Sequence, residues 1–92
     1  MGGAGETPEA RLKRMKMRSM RRGIREMDLI LGAFADTQLA GMALAELDLY
    51  DALLSENDHD LYQWVSGQAE TPARYAGLID RIAAHQAALP KG

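Results

Sequence analysis

The residues of this chain best suited to recognition crowd around one glycine: Arg21-Arg22-Gly23-Ile24-Arg25-Glu26-Met27-Asp28. A guanidinium is planar and can clamp a carboxylate through two parallel hydrogen bonds. A glycine has no side chain to keep a partner's backbone at a distance. Together these residues suit gripping a surface, and no nucleophile stands among them. The same residues also suit a purely internal role. Gly23 could end one helix in a left-handed conformation, and Glu26 and Asp28 would favour the positive end of the next. Arg21, Arg22, Gly23, Arg25, Glu26 and Asp28 are the candidate partner-binding set.

Other reactive residue types are sparse. The chain has no cysteine, which excludes disulfides, thiol catalysis and thiolate-ligated zinc. Its two histidines are His59 and His85. Asp58-His59-Asp60 offers three candidate ligands in a row, but consecutive helical residues point in different directions. An acidic first turn facing the helix dipole is the simpler reading. His85 lies on an alanine-rich stretch and is expected to be exposed. Ser19, Ser55 and Ser66 lie outside any Gly-x-Ser-x-Gly elbow. Gly2, Gly3 and Gly5 follow no strand, so they form no dinucleotide fingerprint. The thirteen acids contain no pair that spacing singles out. The chain is therefore expected to have no catalytic residue, to hold no metal and to bind no cofactor tightly.

These residues must be positioned by helices. Leu, Ala and Met dominate the apolar content, and Val65 is the single valine. That composition favours helix over strand. Thr7-Pro8 reads as an N-cap followed by proline at the first helical position. The first helix is expected to run to about Arg22, with Leu12, Met15 and Met20 as a narrow apolar stripe. A second, over 24–39, places Ile24, Met27, Leu31, Phe34 and Ala35 on one face. A third, over 43–55, has Leu44, Leu47, Tyr50 and Leu54; its start lacks a capping side chain at Ala43 and is expected to fray. A short fourth runs over 58–66, closed by Gly67, with Leu61, Trp64 and Val65 inward and Trp64 as a core anchor. Thr71-Pro72 opens a fifth, to about Ala88, with Tyr75, Leu78, Ile79, Ile82 and Ala83 inward and Pro90 as the stop. The expected fold is all-α, a compact five-helix bundle in a single domain. Residues 1–6 read as a flexible tail and 7–89 as the helical domain.

With 92 residues the chain is one domain at most. No apolar run approaches the roughly 20 residues that span a bilayer, so no membrane insertion is expected. The net charge of −2 hides an asymmetry: residues 1–25 carry eight Lys/Arg and two Glu, while the remainder is strongly acidic. A basic end of this kind suits an acidic partner or a phosphate. One function class is therefore a helical nucleic-acid-binding module that uses the first helix. Against it, a recognition helix usually also carries Asn, Gln or Ser to read base edges, and this one offers only Ser19.

The two segments Arg22-Gly23-Ile24-Arg25-Glu26 and Asp58-His59-Asp60-Leu61-Tyr62-Gln63-Trp64, in this order and about thirty residues apart, resemble the succinate dehydrogenase assembly factor 2 family. The family pattern is Arg-Gly-x-x-Glu before an apolar helix, here continued by Asp28-Leu29-Ile30-Leu31 and Phe34. An acidic turn then enters Asp-Leu-Tyr/Phe-x-Trp. The similarity covers roughly residues 10–89. Ile24 stands where methionine is common, and Ala43 replaces the usual cap. The resemblance implies a five-helix bundle. It implies a factor that promotes covalent attachment of FAD to the flavoprotein subunit of succinate dehydrogenase, or of fumarate reductase. Arg22, Gly23 and Glu26 would lie on the partner-contact surface. FAD would belong to the partner, and nucleic acid would have no part. The expected state is a free monomer, in the cytoplasm of a bacterium or the mitochondrial matrix of a eukaryote.

Overall fold

The computed structural model describes residues 6–88. Five α-helices follow one another: α1 Pro8–Met20, α2 Arg25–Gln38, α3 Leu44–Leu53, α4 Asp58–Ser66 and α5 Ala76–Ala88. Two 3₁₀ turns, Leu39–Gly41 and Ala73–Tyr75, lead out of α2 and into α5. There is no strand among the described residues. The expected all-α five-helix bundle is the fold observed. Residues 1–5 of the expected tail, together with Leu89 and Pro90, lie outside the described residues. Glu6, assigned to that tail, is tied to Arg14 by an ion pair of 2.8 Å.

The helix ends follow local chemistry. Thr7 Oγ1 accepts the Ala10 N–H at 3.0 Å, with Pro8 at the first helical position. Asn57 accepts the His59 N–H and starts α4. Gly67 ends α4 in the left-handed region at φ 80°, the one positive φ among the described residues. The expected left-handed conformation of Gly23 is therefore not adopted. Helix α1 stops at Met20, and Ile24 enters α2 extended. The start of α3 is not left open either, because Glu46 reaches back and accepts the Ala43 N–H at 2.9 Å.

The core lies between α2 and the other helices. Met27, Leu31, Phe34, Tyr50, Leu53, Leu61 and Ile82 are fully or almost fully buried in it. Phe34 and Tyr50 stack at 5.7 Å. The Tyr50 hydroxyl and Ser19 Oγ lie 2.7 Å apart, and Ser19 also donates to the Met15 carbonyl at 2.7 Å. Ser19 thus takes the inward place expected of Met20, which is 57% exposed. The reason is angular: five residues beyond Met15, a helical side chain has turned roughly 140° away. Leu44 was also expected inside and is 73% exposed, since it opens α3 beyond the edge of the core. Trp64 is only partly buried; it stacks on buried Tyr75 at 5.9 Å instead of anchoring the centre. Val65 and Ala83 are likewise half-buried. His85 is half-buried too, edge-on to Phe34 and bonded to Thr37 Oγ1 at 2.8 Å.

Candidate functional site

The junction between α1 and α2 is held by two aspartates. Its N–H groups lie outside both helical ladders and need acceptors from elsewhere. The Asp28 carboxylate accepts the Arg22 N–H, and the Asp58 carboxylate accepts the Gly23 N–H. The other oxygen of Asp58 accepts from Arg22 Nε at 2.7 Å. The Arg22 guanidinium also donates to the Leu54 carbonyl at 2.9 Å and the Glu56 carbonyl at 3.3 Å. With Arg22 and Asp58 side chains 7% and 16% exposed, this pair is a buried rivet joining the junction to the α3–α4 turn.

The six candidate residues therefore divide. Arg22 and Asp28 are engaged inside the chain, so the Arg22 clamp expected from sequence closes on Asp58 and the backbone. Arg21, Gly23, Arg25 and Glu26 are exposed side by side. A Cβ on Gly23 would lie 2.8 Å from Asp58 Oδ2. Glycine is thus required here by the close approach of the aspartate that orders the junction. Beside the exposed set, Glu26 and Leu29 line a groove of about 330 Å³ with Ile30, Tyr62, Val65 and Ala83.

Half of the cations of the basic first segment are likewise engaged. Arg11 meets Asp48 at 2.6 Å, Arg14 meets Asp51 at 2.9 Å, and Arg18 meets Asp51 at 3.3 Å. Arg11, Arg14 and Arg18 follow helical spacing, so one face of α1 carries them toward α3, and Arg22, just past the helix end, continues the row to the α3–α4 turn. Hydrogen bonding from Arg14, aided by the positive charge of all three arginines, pulls the Asp51 carboxyl below its ordinary value; burial opposes this. Lys13, Lys16, Arg21 and Arg25 make no ion pair among the described residues. The eight cations available to a phosphate backbone on paper are four in the fold.

No group of three His, Asp or Glu side chains converges as a metal site among the described residues, and His59 is exposed. An open groove of about 980 Å³ runs between α1 and α3. Its arginines are already neutralised by Glu6, Asp48 and Asp51. A pyrophosphate entering it would meet these carboxylates and no unpaired arginine. No helix among the described residues is long and apolar enough to cross a membrane.

A family model described as flavinator of succinate dehydrogenase matches residues 13–86. The chain is 43% identical over 70 residues to the mitochondrial succinate dehydrogenase assembly factor 2 of Schizosaccharomyces pombe, covering 76% of this chain and 50% of that protein. It is 43% identical over 67 residues to the protein of the same name from Lodderomyces elongisporus, covering 73% and 41%. The Scheffersomyces stipitis protein is 47% identical over 62 residues, covering 67% and 42%. The chain thus spans half or less of the length of these relatives. The matched region contains α2, α3, α4 and both aspartates of the rivet, and on this ground the chain belongs to the family of succinate dehydrogenase flavinators, which are assembly factors.

Proposed function

We propose that this chain docks on the flavoprotein subunit of a succinate dehydrogenase or of a fumarate reductase and promotes covalent attachment of FAD to it. The observation that carries this reading is the α1–α2 junction. Asp28 and Asp58 fix its backbone from within, so Arg21, Gly23, Arg25 and Glu26 face outward as a preorganised surface. Preorganisation lowers the ordering cost of association. Arg21 and Arg25 would take carboxylates of the partner, Glu26 would take a donor, and bare Gly23 would let the partner's backbone come close.

The contribution to flavinylation is positional. A docked factor biases the partner toward the arrangement in which its own acceptor side chain meets the flavin. The flavin supplies the reactivity, and FAD stays with the partner. This chain contributes binding surface and no acid, base or nucleophile. The place of action is where the flavoprotein matures, the cytoplasm of a bacterium or the mitochondrial matrix.

The test is in-gel flavin fluorescence of the partner subunit from cells that lack this protein and carry it back as wild type or variant. Arg21→Ala, Arg25→Ala and Glu26→Ala remove exposed side chains, so stability should stay within about ±0.5 kcal/mol. Each should nonetheless lower covalent flavin about tenfold, as loss of a charge that steers and orients a docking partner does. Arg74→Ala removes an exposed charge from the 3₁₀ turn that leads into α5 and should be silent. Normal flavinylation in all three variants would show the surface to be misassigned.

A further inference from the structure

Three of the four most exposed large apolar side chains among the described residues lie on the packed pair α1 and α2, Met17 and Met20 on the first and Leu29 on the second. Met17 is 42% exposed, Met20 57% and Leu29 62%. Met17 and Met20 are one helical turn apart on α1. Met20 crosses onto α2, where a Cβ at Gly32 would stand only 3.2 Å from its Cγ. Leu29 is the next turn of α2 on that side. Glycine is a poor helix former, and its presence inside α2 lets the Met20 side chain lie flat along the seam between the two helices. From Leu29 the apolar surface continues into the groove formed with Ile30, Val65 and Ala83. Cations edge this strip. Lys13 precedes Met17 by one turn, Arg21 follows it by one turn, and Arg25 precedes Leu29 by one turn. All three are exposed and without an ion pair among the described residues, although Asp48, Asp51 and Asp58 neutralise the other face of α1.

We infer that the Met17–Met20–Leu29 strip is the apolar centre of the docking face and that Lys13, Arg21 and Arg25 are its rim. This rests on the proposed function and names the occupant: a segment of the flavoprotein subunit whose apolar side chains lie between carboxylates. Two observations select that occupant. The strip is continuous with the Gly23–Arg25–Glu26 surface, so one partner covers both. Lys13, Arg21 and Arg25 on its rim are unpaired among the described residues, while Glu26 and Asp36 are the exposed acids on the α2 side, so the facing rim is acidic where it meets α1 and the junction. An apolar centre inside a polar rim is the anatomy in which binding energy concentrates. Methionines suit it because their unbranched, polarizable side chains adapt to the surface they meet.

The experiment titrates the purified flavoprotein subunit, prepared without covalent flavin, into the full chain and reads Kd by calorimetry. Met20→Gln and Leu29→Gln remove apolar character from exposed positions, and thermal melts check that both variants keep the wild-type fold. Each should weaken binding at least about tenfold, and the double variant about a hundredfold. Leu44→Gln, equally exposed but set in the α1–α3 groove, should stay within about twofold. Arg21→Ala and Arg25→Ala should chiefly slow association and flatten its salt dependence. Wild-type affinity in Met20→Gln and Leu29→Gln would overturn the strip while leaving the proposed function standing. No binding by the wild-type chain would overturn both. A parallel titration uses phosphatidylserine vesicles. Vesicle binding abolished by Leu29→Gln, with the flavoprotein titration unmoved, would make the strip a lipid contact and refute the inference.

Discussion

Asp58→Ala would strand the Arg22 guanidinium in a place where water scarcely reaches it. Breaking one partner of a buried pair costs about 3–5 kcal/mol, and the carbonyls of Leu54 and Glu56 that remain should hold the loss near 3 kcal/mol. Urea denaturation measures it, and a loss below about 1 kcal/mol would mean that the rivet is solvated. Gly23→Ala acts on the same carboxylate, because its new Cβ meets Asp58 Oδ2 at 2.8 Å. Overpacking of this kind costs about 1–3 kcal/mol. The two losses should not add. In an Asp58→Ala background Gly23→Ala should be almost neutral, whereas strain intrinsic to residue 23 would persist there; a double-mutant cycle separates the two. The sequence singles out Arg22 and Gly23 as a partner-contact pair, whereas the Arg22 side chain is 7% exposed and turned onto Asp58. Their dependence on Asp58 is not legible in the sequence, because the aspartate lies 36 and 35 residues away and only the packing of α4 on the junction brings it in.

At the level of helices, periodicity and end signals place most of the fold. Thr7-Pro8, Asn57 and Gly67 mark their helix ends as local chemistry dictates, and α4 spans the 58–66 anticipated for it. The Thr71-Pro72 signal is also genuine, but it opens a 3₁₀ turn before α5 winds at Ala76. The misread stripes concern helix edges: Met20 lies about 140° round α1 from Met15, and Leu44 opens α3 where its neighbours no longer cover it. Glu46 shows the limit of such reading at a cap, since it compensates for Ala43 and at the same time meets Arg81 at 2.7 Å. Glu46→Ala should cost about 1 kcal/mol and speed amide exchange in the first turn of α3, which hydrogen-exchange mass spectrometry would resolve. Gly32→Ala should go the other way. Met20 is exposed and can shift by a few tenths of an ångström, so the gain in helix propensity, about 0.5–1 kcal/mol, should raise the melting temperature.

Over the whole molecule, the pH limits of stability belong to different interfaces. Burial, the largest influence, pushes the Tyr50 hydroxyl up to about 12, against a modest lowering by Ser19. An elevated folded value means that the unfolded chain loses this proton first. The contribution is complete below about pH 10 and disappears as pH rises toward 12, at about 1.4 kcal/mol per pH unit. Absorbance at 295 nm should therefore show late tyrosine ionisation as the protein unfolds, and Tyr50→Phe should diminish that step, leaving the part due to Tyr75, whose hydroxyl is also raised by burial and by Glu56. Asp51 has the opposite sign. Its depressed carboxyl stabilises the fold above its ordinary value of 3.8, and that support is lost as pH falls through the lower folded value. The acid-sensitive contact is the one between α1 and α3. Only Met15 and Ser19 of α1 are buried, and what joins this helix to α3 is its ladder of arginines. In effect α1 is an internal counter-ion for α3. A soluble polyanion such as heparin would then find four unpaired cations on the basic segment of the folded chain and eight on a chain whose α1 has come away from Asp48, Asp51 and Asp58, and would favour the second. The chain should accordingly melt at a lower temperature in heparin, where a dedicated nucleic-acid binder would melt at a higher one.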